Sequence, residues 1–434
     1  MLKKQHRQLS VLMNGVLVGR LEKLHNTSMI FSYTQNWLAL STARPLSLSM
    51  PLTAQAHQDD VVYHFFDNLL PDNPVLRNKI QAKFQAKSIH PFDLLACIGR
   101  DCVGAIQVVE EDDFEFSKHI LCEPLKEKAL ASLLRDYSSN PLGMSDNDDF
   151  RISIAGAQEK SAFLWFQNAW HRPLGTTPTS HIFKLPIGYI QHQQIDLSDS
   201  CENEWLCSKI LSEFGLPVAN CSIETFEDVK VLVVERFDRK YASDASWIMR
   251  LPQEDMCQAM GVSPNLKYQV DGGPGIKDIL KLLLGSSNAT QDRDDFFRTQ
   301  VIFWLLAAID GHAKNFSIHI TAGGRFNLTP LYDVMSAYPL IAKKQLQIKK
   351  IKMAMSLEGK NRHYKWSEIK RCHFLQTAKI SNYSIKKADN IIAEVLDQVD
   401  SVISRVEGIV PEGFPIEVSE PIFSGMRKAR KLLS

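Results

Sequence analysis

Residues 310–315 read DGHAKN and residues 328–333 read LTPLYD, and these two stretches decide the fold expected of the chain. Asp310 comes directly after the apolar run VIFWLLAAI, so we expect it to close a long helix. A carboxylate is disfavoured at a helix C-terminus, where the helix dipole is negative. The position of Asp310 therefore needs an explanation other than helix packing.

The spacing of three polar residues in these stretches indicates a site that handles phosphate. Asn315 follows Asp310 by five residues, which is the interval of the kinase catalytic loop. In that loop the Asp orients the acceptor hydroxyl and the Asn binds a metal. Asp333 comes after a predicted hairpin, where the kinase fold has another metal-binding Asp, and such oxygen ligands suit Mg²⁺. For either stretch alone, Asp and Asn as simple turn formers remain the alternative.

A lysine in an apolar strand is the expected partner of the phosphates. Lys184 lies in SHIFKLPI, residues 180–187, where it must reach solvent or meet a charge. Glu204 follows on a predicted helix, residues 200–214, so a kinase-type ion pair is reasonable, as is a salt bridge of purely structural meaning. Residues 229–239 run from a strand into a polar turn, where a hinge would present main-chain groups of Glu235 and Phe237 to an adenine.

The phosphate loop is the weakest part of the pattern, because neither GxGxxG nor GxxxxGK[ST] occurs in the chain. Residues 153–160, SIAGAQEK, lie between two predicted strands, and the small residues Ala155, Gly156 and Ala157 let main-chain N–H groups approach an anion. An ordinary hairpin turn is the alternative. We interpret a second glycine cluster, DGGPG at residues 271–275, as a loop.

Composition limits the class of protein. The chain has 434 residues, 44% of them hydrophobic and 23% charged, which predicts a soluble globular protein of two or three domains. A net charge of +1 gives no overall field that would draw the chain to nucleic acid or to an anionic membrane. We expect a cytoplasmic protein without a signal peptide, a membrane span or disulfides, because its 8 Cys are scattered.

The hydrophobic pattern predicts an N-terminal region of mixed structure followed by a mainly helical half. Asn14-Gly15 between two alternating runs predicts a β-hairpin with a type I′ turn. Pro71 interrupts a helical pattern, and Gly215 is a plausible end for the helix at residues 200–214. From about Leu251 onward helices dominate, apart from a hairpin inserted between Asp310 and Asp333.

Several stretches, in this order and spacing, resemble the HipA family of toxin kinases from HipA/HipB toxin–antitoxin modules. They are RISIAGAQEK (151–160), HIFKLP (181–186), VERFDR (234–239), RLPQEDMCQ (250–258), DGGPG, DGHAKNFS (310–317) and LTPLYD. PLSLSMPL (45–52), FFDNLLPDN (65–73) and GRDCVGAIQ (99–107) resemble the N-terminal region of the family. The resemblance thus covers most of the chain.

The resemblance implies an α+β fold of the divergent two-lobed protein-kinase type, with a mixed α/β N-terminal lobe and a mainly helical C-terminal lobe. The implied divisions are residues 1–110, a HipA-type α+β subdomain; residues 111–248, the rest of the N-terminal lobe with the phosphate loop, the ATP lysine strand and the hinge; and residues 249–434, the C-terminal lobe with the catalytic and metal loops.

The resemblance also implies roles for individual residues. Asp310 resembles the catalytic Asp, Asn315 and Asp333 resemble the metal ligands, and Ser153 resembles a serine that family members autophosphorylate to switch themselves off. Glu204 would be the ion-pair partner of the ATP lysine. The implied ATP-binding residues are Ala155, Gly156, Ala157, Gln158, Glu159, Lys160, Lys184, Glu235, Arg236, Phe237, His312, Asn315, Tyr332 and Asp333.

The implied activity is that of a Ser/Thr protein kinase toxin with ATP and Mg²⁺ as cofactors. The implied partners are a HipB-like helix-turn-helix antitoxin dimer, operator DNA bound through that complex, and a protein substrate such as an aminoacyl-tRNA synthetase, notably the glutamyl enzyme. Lys379 resembles a lysine that faces operator DNA in antitoxin complexes. Asn382 stands where an Arg is expected, and this departure argues against direct contact with DNA.

Two other functions fit parts of the pattern. A small-molecule or lipid-type kinase would bind its metal through the same types of residue. Ser153 in the loop and the family-like N-terminal region argue against this alternative. A pseudokinase that acts only as a corepressor is disfavoured because Asp310, Asn315, Asp333 and Lys184 are all present. The basic stretch at residues 342–352 and the basic C-terminus could be solvated faces or patches that approach DNA phosphates.

Overall fold

The structure, a computed structural model, describes residues 8–25, 27–110, 116–139, 160–191 and 194–433. Ser153 and the predicted phosphate loop at residues 155–159 lie outside this part of the chain. The chain forms two compact units: unit 1 comprises Met1–Leu185, Glu224–Asn265 and Ile318–Phe326, and unit 2 comprises Pro186–Ile223, Leu266–Ser317 and Asn327–Ser434. Each unit is thus assembled from three segments, whereas the domain boundaries at residues 110 and 248 assume continuous segments and stay a prediction.

The strands, in chain order, are β1 (Gln8–Met13), β2 (Val16–Lys23), β3 (Met29–Tyr33), β4 (Ile106–Val109), β5 (Cys122–Pro124), β6 (Lys160–Phe166), β7 (Ala169–Pro173), β8 (His181–Lys184), β9 (Gly188–Ile190), β10 (Ile195–Leu197), β11 (Cys221–Phe226), β12 (Val229–Glu235), β13 (Arg239–Tyr241), β14 (Ile248–Arg250), β15 (Gln253–Asp255), β16 (Ser317–Ile320), β17 (Phe326–Leu328), β18 (Lys352–Glu358) and β19 (Arg362–Lys365).

The helices are α1 (Gln35–Leu38), α2 (Asp60–Asp67), α3 (Pro74–Phe84), α4 (Pro91–Ile98), α5 (Glu127–Ser139), α6 (Ser200–Glu213), α7 (Met256–Ala259), α8 (Ile276–Leu282), α9 (Ala289–Leu305), α10 (Tyr338–Ala342), α11 (Arg371–Ile380), α12 (Ile385–Glu407) and α13 (Ile416–Leu433). None of these described helices is both long enough and apolar enough to cross a membrane.

Unit 1 begins with a four-stranded sheet in the order β3-β2-β1-β4. The predicted hairpin is confirmed: β1 pairs antiparallel with β2, and Asn14 and Gly15 between them have φ values of 48° and 83°, as a type I′ turn requires. Alternate residues such as Leu9, Val11 and Phe31 are completely buried. Helices α2 and α4 pack on this sheet and complete an apolar core.

A second sheet of unit 1 carries the predicted nucleotide-binding strand. Its order is β11-β12-β8-β6-β7-β5, so β8 lies between β6 and β12. Phe163 and Phe183 meet edge to face at 5.0 Å between ring centroids and anchor β6 to β8. The strand that ends at Lys184 is therefore held from both sides by a buried apolar layer.

The family-like stretches at residues 45–52 and 250–258 contact each other within unit 1. The N–H of Leu48 donates to Glu254 Oε1 at 2.8 Å, and the hydroxyl of Ser49 donates to the carbonyl oxygen of Gln258 at 2.8 Å. The N-terminal stretch at residues 65–73 makes a similar contact, because the Asn68 amide donates to the carbonyl oxygen of Val262 at 2.9 Å. These contacts fix the segment that leads from unit 1 into the helical half of the chain.

Unit 2 is mainly helical, as the sequence predicts. Its longest helix, α12, begins at the capping residue Ser384, whose hydroxyl accepts the N–H of Lys387 at 3.3 Å, and packs against α6, α9, α11 and α13. Trp304 and Trp366 stack at 5.0 Å, and each indole N–H donates to the other residue's carbonyl oxygen, at 3.1 and 2.7 Å. This reciprocal pair locks the end of α9, which precedes the predicted catalytic loop.

The cysteines of the chain differ in burial, since Cys372 is exposed and Cys97, Cys122 and Cys221 are half-buried. All eight cysteines lie in the described residues, and none of them forms a disulfide. Cys102, Cys201, Cys207 and Cys257 are buried and contribute to apolar cores as small hydrophobic side chains.

A buried ionic network in unit 1 joins the stretches GRDC and VERFDR. Asp101 accepts bonds from Arg239 at 2.9 Å and from Arg250 at 3.2 Å, and it lies 3.5 Å from Arg236. Asp238 accepts a further bond from Arg236 at 2.8 Å. Burial alone would raise the pKa of Asp101, but the arginines, Arg239 first, hold it well below its usual range.

We predict that Asp101→Asn lowers the free energy of unfolding by about 3–5 kcal/mol. The substitution leaves Asp238 as the one carboxylate of the network that can balance the charges of the three buried arginines. Thermal and urea unfolding of purified protein would measure the change. Asp400→Asn is the matched control, since Asp400 pairs with Arg427 and Arg430 at an exposed site and its loss should cost under about 1 kcal/mol. Equal, small effects of the two substitutions would contradict the prediction.

Candidate functional site

The predicted catalytic residue lies in a turn after α9. The expectation that Asp310 closes this helix is wrong, because α9 ends at Leu305 and Ala307 already has a left-handed φ of 48°. The apolar run continues past the helix end, since residues 306–308 are buried in an irregular conformation. Asp310 itself is accessible to solvent, although the surrounding residues remove much of the water around its carboxylate. Asp310 therefore does not lie at the C-terminus of α9, and the helix dipole does not bear on its position. Its place at the surface of unit 2 favours a functional role.

A short 3₁₀ turn, Ala313–Asn315, gives the catalytic loop its shape. The side-chain oxygen of Asn315 accepts the N–H of His312 at 3.2 Å, and the N–H of Asn315 donates to the carbonyl oxygen of His312 at 2.9 Å. Both residues are buried, with exposed fractions of 4% for Asn315 and 7% for His312. This reciprocal bonding orients the Asn315 amide from within the loop, and its oxygen keeps a second lone pair.

The stretch that ends in Asp333 is tied to the same loop. The hydroxyl of Tyr332 donates to the carbonyl oxygen of Lys314 at 2.9 Å and lies 2.5 Å from the hydroxyl of Ser317. The Asn315 amide donates to the carbonyl oxygen of Asp333 at 3.4 Å. Asp333 has a left-handed φ of 61°, an uncommon conformation for a residue other than glycine and one that is enriched at functional sites.

The structure thus brings Asp310, Asn315 and Asp333 close to one another in unit 2, and their catalytic and metal-binding roles stay a prediction. Loss of hydration raises the pKa of Asp310, a hydrogen bond from Tyr268 lowers it, the charge of Asp333 raises it and that of Lys267 lowers it. Two carboxylates that repel each other in this way favour a cation nearby. In the described residues no cluster of three or more His, Cys, Asp or Glu side chains could hold a metal by itself.

This donor set fits Mg²⁺ better than a metal that needs a closed protein cage. Mg²⁺ prefers one or two carboxylates and completes its shell with water and substrate phosphates. Asp333 offers a carboxylate, and Asn315 offers an amide oxygen whose orientation is fixed. The two residues would therefore hold a magnesium ion that arrives with a phosphate ligand.

Two lysines lie side by side in unit 1. Lys184, the last residue of β8, is the antiparallel partner of Lys160, the first residue of β6. Directly opposed residues in such a pair share one face of the sheet, so these two cationic side chains lie on the same face. Lys184 is only 5% exposed, and two cations on one face of a sheet suit an anionic ligand. The pair is a candidate binding site for phosphate oxygens.

The predicted ion-pair partner of the lysine is Glu204, on α6 of unit 2, where it is 6% exposed. The pairing of Lys184 with Glu204 stays a prediction.

The predicted hinge follows β12 in unit 1. Glu235, the last residue of β12, is exposed and pairs in register with His181. Arg236 turns inward, since its guanidinium lies in the network with Asp101 and Asp238 and its N–H donates to the carbonyl oxygen of Ser180 at 2.9 Å. The side chain of Arg236 is therefore an anchor for the hinge, and a nucleotide contact would have to use its main-chain carbonyl.

Phe237, the other hinge residue, is half-buried and packs edge to face against His319 at 5.7 Å between ring centroids. Lys379 is exposed on α11, as a residue that faces a partner would be. Ser153, Ala155, Gly156, Ala157, Gln158 and Glu159 lie outside the described residues.

Two further residues, Lys267 and Tyr268, contact the catalytic loop, and the sequence did not predict them. The hydroxyl of Tyr268 donates to Asp310 Oδ1 at 2.5 Å, and the carbonyl oxygen of Lys267 accepts the N–H of Ala313 at 3.2 Å. No motif marks these residues, which precede the catalytic loop by about forty positions. The adjacent DGGPG cluster was the signal that could have drawn attention to this segment.

The α+β architecture, with a lysine-bearing sheet in one unit and an Asp–Asn–Asp site in a mainly helical unit, is of the protein-kinase-like class. A model of the HipA N-terminal domain matches residues 9–109, and a model of the HipA-like C-terminal domain matches residues 152–403, more than half of the chain. The chain belongs to the HipA family, which confirms the resemblance that its sequence motifs indicate.

Individual relatives agree with this assignment. Y4mE of Sinorhizobium fredii, which carries the name of a kinase, is 31% identical over 348 residues, covering 78% of this chain and 80% of that protein. The serine/threonine-protein kinase toxin HipA of Shewanella oneidensis is 29% identical over 315 residues, 70% of this chain and 69% of the relative.

A chain from the solved structure of the Shewanella oneidensis MR-1 toxin–antitoxin complex of HipA, HipB and operator DNA is similar over 98% of this chain and 97% of its own length. The TM-score is 0.82 at 21% sequence identity, and it confirms the kinase-like fold.

Proposed function

We propose that this chain is a Ser/Thr protein kinase toxin that transfers the γ-phosphate of ATP to a hydroxyl of a protein. The observation that carries the proposal is the joint placement of Asp310, Asn315 and Asp333 on two loops tied together by hydrogen bonds. Membership of the HipA family and the name of the Shewanella relative support the same activity.

The proposed mechanism depends on positioning and charge, because phosphoryl transfer leaves little covalent chemistry to the protein. Asp310 accepts the proton of the acceptor hydroxyl as that oxygen attacks the γ-phosphate. Lys160 and Lys184 attract phosphate oxygens from one face of the sheet. Magnesium, held by Asn315 and Asp333, would neutralise phosphate charge. Main-chain groups of Glu235 and Phe237 are the proposed contacts of the adenine.

The proposed substrate is a component of translation, an aminoacyl-tRNA synthetase such as glutamate-tRNA ligase. This part rests on the family resemblance. The proposed partners are a HipB-like antitoxin dimer and, through it, operator DNA, and the Shewanella HipA–HipB–DNA complex supports them by its similarity of fold.

We predict that Asp310→Gln and Asp333→Gln each lower phosphotransfer at least about 100-fold while the protein stays folded, because one removes the proton acceptor and the other a metal ligand. Radiolabel transfer from ATP would measure activity, with Asp389→Asn on the exposed face of α12 as the control. Phosphoproteomes after induction of wild type and Asp310→Gln would identify the substrate.

Activity of a stable Asp310→Gln variant close to that of wild type would refute the assignment, as would full activity after chelation of Mg²⁺ and Mn²⁺. Label that enters metabolites rather than protein would favour a small-molecule kinase.

For the partners, we expect the purified chain to bind DNA weakly and with strong salt dependence, because its net charge is only +1. A complex with a small helix-turn-helix antitoxin should bind a palindromic operator tightly. Gel shifts at two salt concentrations, with Lys379→Ala beside wild type, would measure this. Tight, sequence-specific binding by the chain alone would overturn the expectation.

For regulation, we predict that the enzyme phosphorylates its own Ser153 and that the phosphorylated form is inactive. A phosphate there adds about −1.5 to −2 charge next to residues that are proposed to bind ATP, and it would compete for the same N–H groups and lysines. Mass spectrometry should find the modification in wild type and none in Asp310→Gln. Unchanged turnover by purified phospho-Ser153 protein would contradict the regulatory role.

A further inference from the structure

Two consecutive residues of unit 2 brace the catalytic loop. The hydroxyl of Tyr268 donates to Asp310 Oδ1 at 2.5 Å, and the Tyr268 ring packs edge to face against His312 at 5.0 Å between centroids. The carbonyl oxygen of Lys267 accepts the N–H of Ala313 at 3.2 Å. Residues 310–313 are thus restrained by Lys267 and Tyr268 through one side-chain hydrogen bond, one ring contact and one main-chain hydrogen bond.

The DGGPG cluster that follows holds this brace in place. The carbonyl oxygen of Tyr268 accepts the N–H groups of Asp271 and Gly273, both at 3.1 Å, so the turn closes back on the tyrosine. A Cβ atom at Gly273 would lie 1.8 Å from the carbonyl oxygen of Leu266, a distance that no packing adjustment of a side chain could relieve. Glycine at this position therefore sets the path of residues 266–268.

A further contact anchors the turn to the rest of the unit. The Gln269 side-chain oxygen accepts the N–H of Ser356 at 2.7 Å and the hydroxyl of the same serine at 3.0 Å. Gln269 is buried and Ser356 lies in β18. Tyr268 is thus fixed on one side by the glycine turn and on the other by a strand, so its hydroxyl approaches Asp310 from a set direction.

We propose that Tyr268 is a positioning residue for Asp310: its hydroxyl occupies Oδ1 and leaves Oδ2 to take the proton of the acceptor hydroxyl. The inference rests on the proposed kinase function. During transfer the substrate O–H bond breaks and its proton passes to Oδ2 of Asp310. The substrate oxygen forms the new bond to the γ-phosphorus of ATP as the bond from that phosphorus to the bridging oxygen of the β-phosphate breaks, so ADP leaves with the electron pair. Tyr268 keeps its own proton throughout.

The bond also favours the ionised form of Asp310, which is the form that can accept a proton. The groups that act on this carboxylate are Asp333, whose charge raises its pKa, and Lys267 and Tyr268, which lower it. His312 packs against the Tyr268 ring. Removal of the phenol hydroxyl should therefore raise the pKa of Asp310, and activity that requires the carboxylate should disappear at a higher pH than in wild type.

The test is Tyr268→Phe in the full-length chain, assayed with ATP, Mg²⁺ and a protein or peptide acceptor. We expect kcat to fall about ten-fold, as for loss of a hydrogen bond to a charged group, with the KM for ATP unchanged. The acid limb of the kcat/KM profile should move to higher pH. A purely structural role would not move that limb.

Tyr383→Phe is the matched control, because the Tyr383 hydroxyl also donates to a carboxylate, Asp294 Oδ1 at 2.6 Å, within the same unit. It should leave the kinetics unchanged. A second variant, Gly273→Ala, keeps the phenol but displaces its support, and it should reproduce the fall in kcat. Both variants would be checked for folding by their thermal unfolding midpoint.

The outcomes separate the inference from the function on which it rests. Absence of phosphotransfer in wild type would remove the proposed function. An active wild type with Tyr268→Phe at the same rate would overturn the role of Tyr268, as would a slower Tyr268→Phe whose acid limb stays in place.

Discussion

The burial of Asp101 is the constraint on which much of unit 1 depends. A carboxylate away from water is strongly unfavourable unless opposite charges and hydrogen bonds compensate it, and here Arg236, Arg239 and Arg250 do so. The hydroxyl of Thr179, which donates to Asp101 at 2.8 Å, adds a neutral donor just before β8. Four distant parts of the chain must therefore meet at one carboxylate, and the end of β12, where the hinge is proposed, is placed by that requirement.

Each unit carries a pair of like charges among its candidate functional residues, positive in unit 1 and negative in unit 2. Lys160 and Lys184 face each other across two strands, and Asp333 acts on Asp310 in the helical unit. A nucleotide triphosphate has the charge that suits the lysines, and a divalent cation has the charge that suits the carboxylates.

Local patterns predicted the parts of the structure that depend on neighbours in sequence. The Asn14-Gly15 hairpin follows from the positive φ that its turn requires, and the Asp310 to Asn315 interval follows from the geometry of a single loop. The wrong helix end at Asp310 arose because an apolar run indicates burial without indicating conformation. Tyr268 was missed because its bond to Asp310 joins positions 42 residues apart, and no periodicity specifies such a contact.

The turn of the first hairpin carries a consequence for how the family's two domains can be separated. Asn14 accepts the N–H of Arg250 and donates to the Arg250 carbonyl oxygen, both at 2.8 Å, so its amide pairs with a distant strand as a neighbouring backbone would. Asn14 lies in the region matched by the N-terminal model and Arg250 in that matched by the C-terminal model. The two matched regions thus share hydrogen bonds and ion pairs within unit 1, and a fragment cut between them would expose polar groups with no replacement partner.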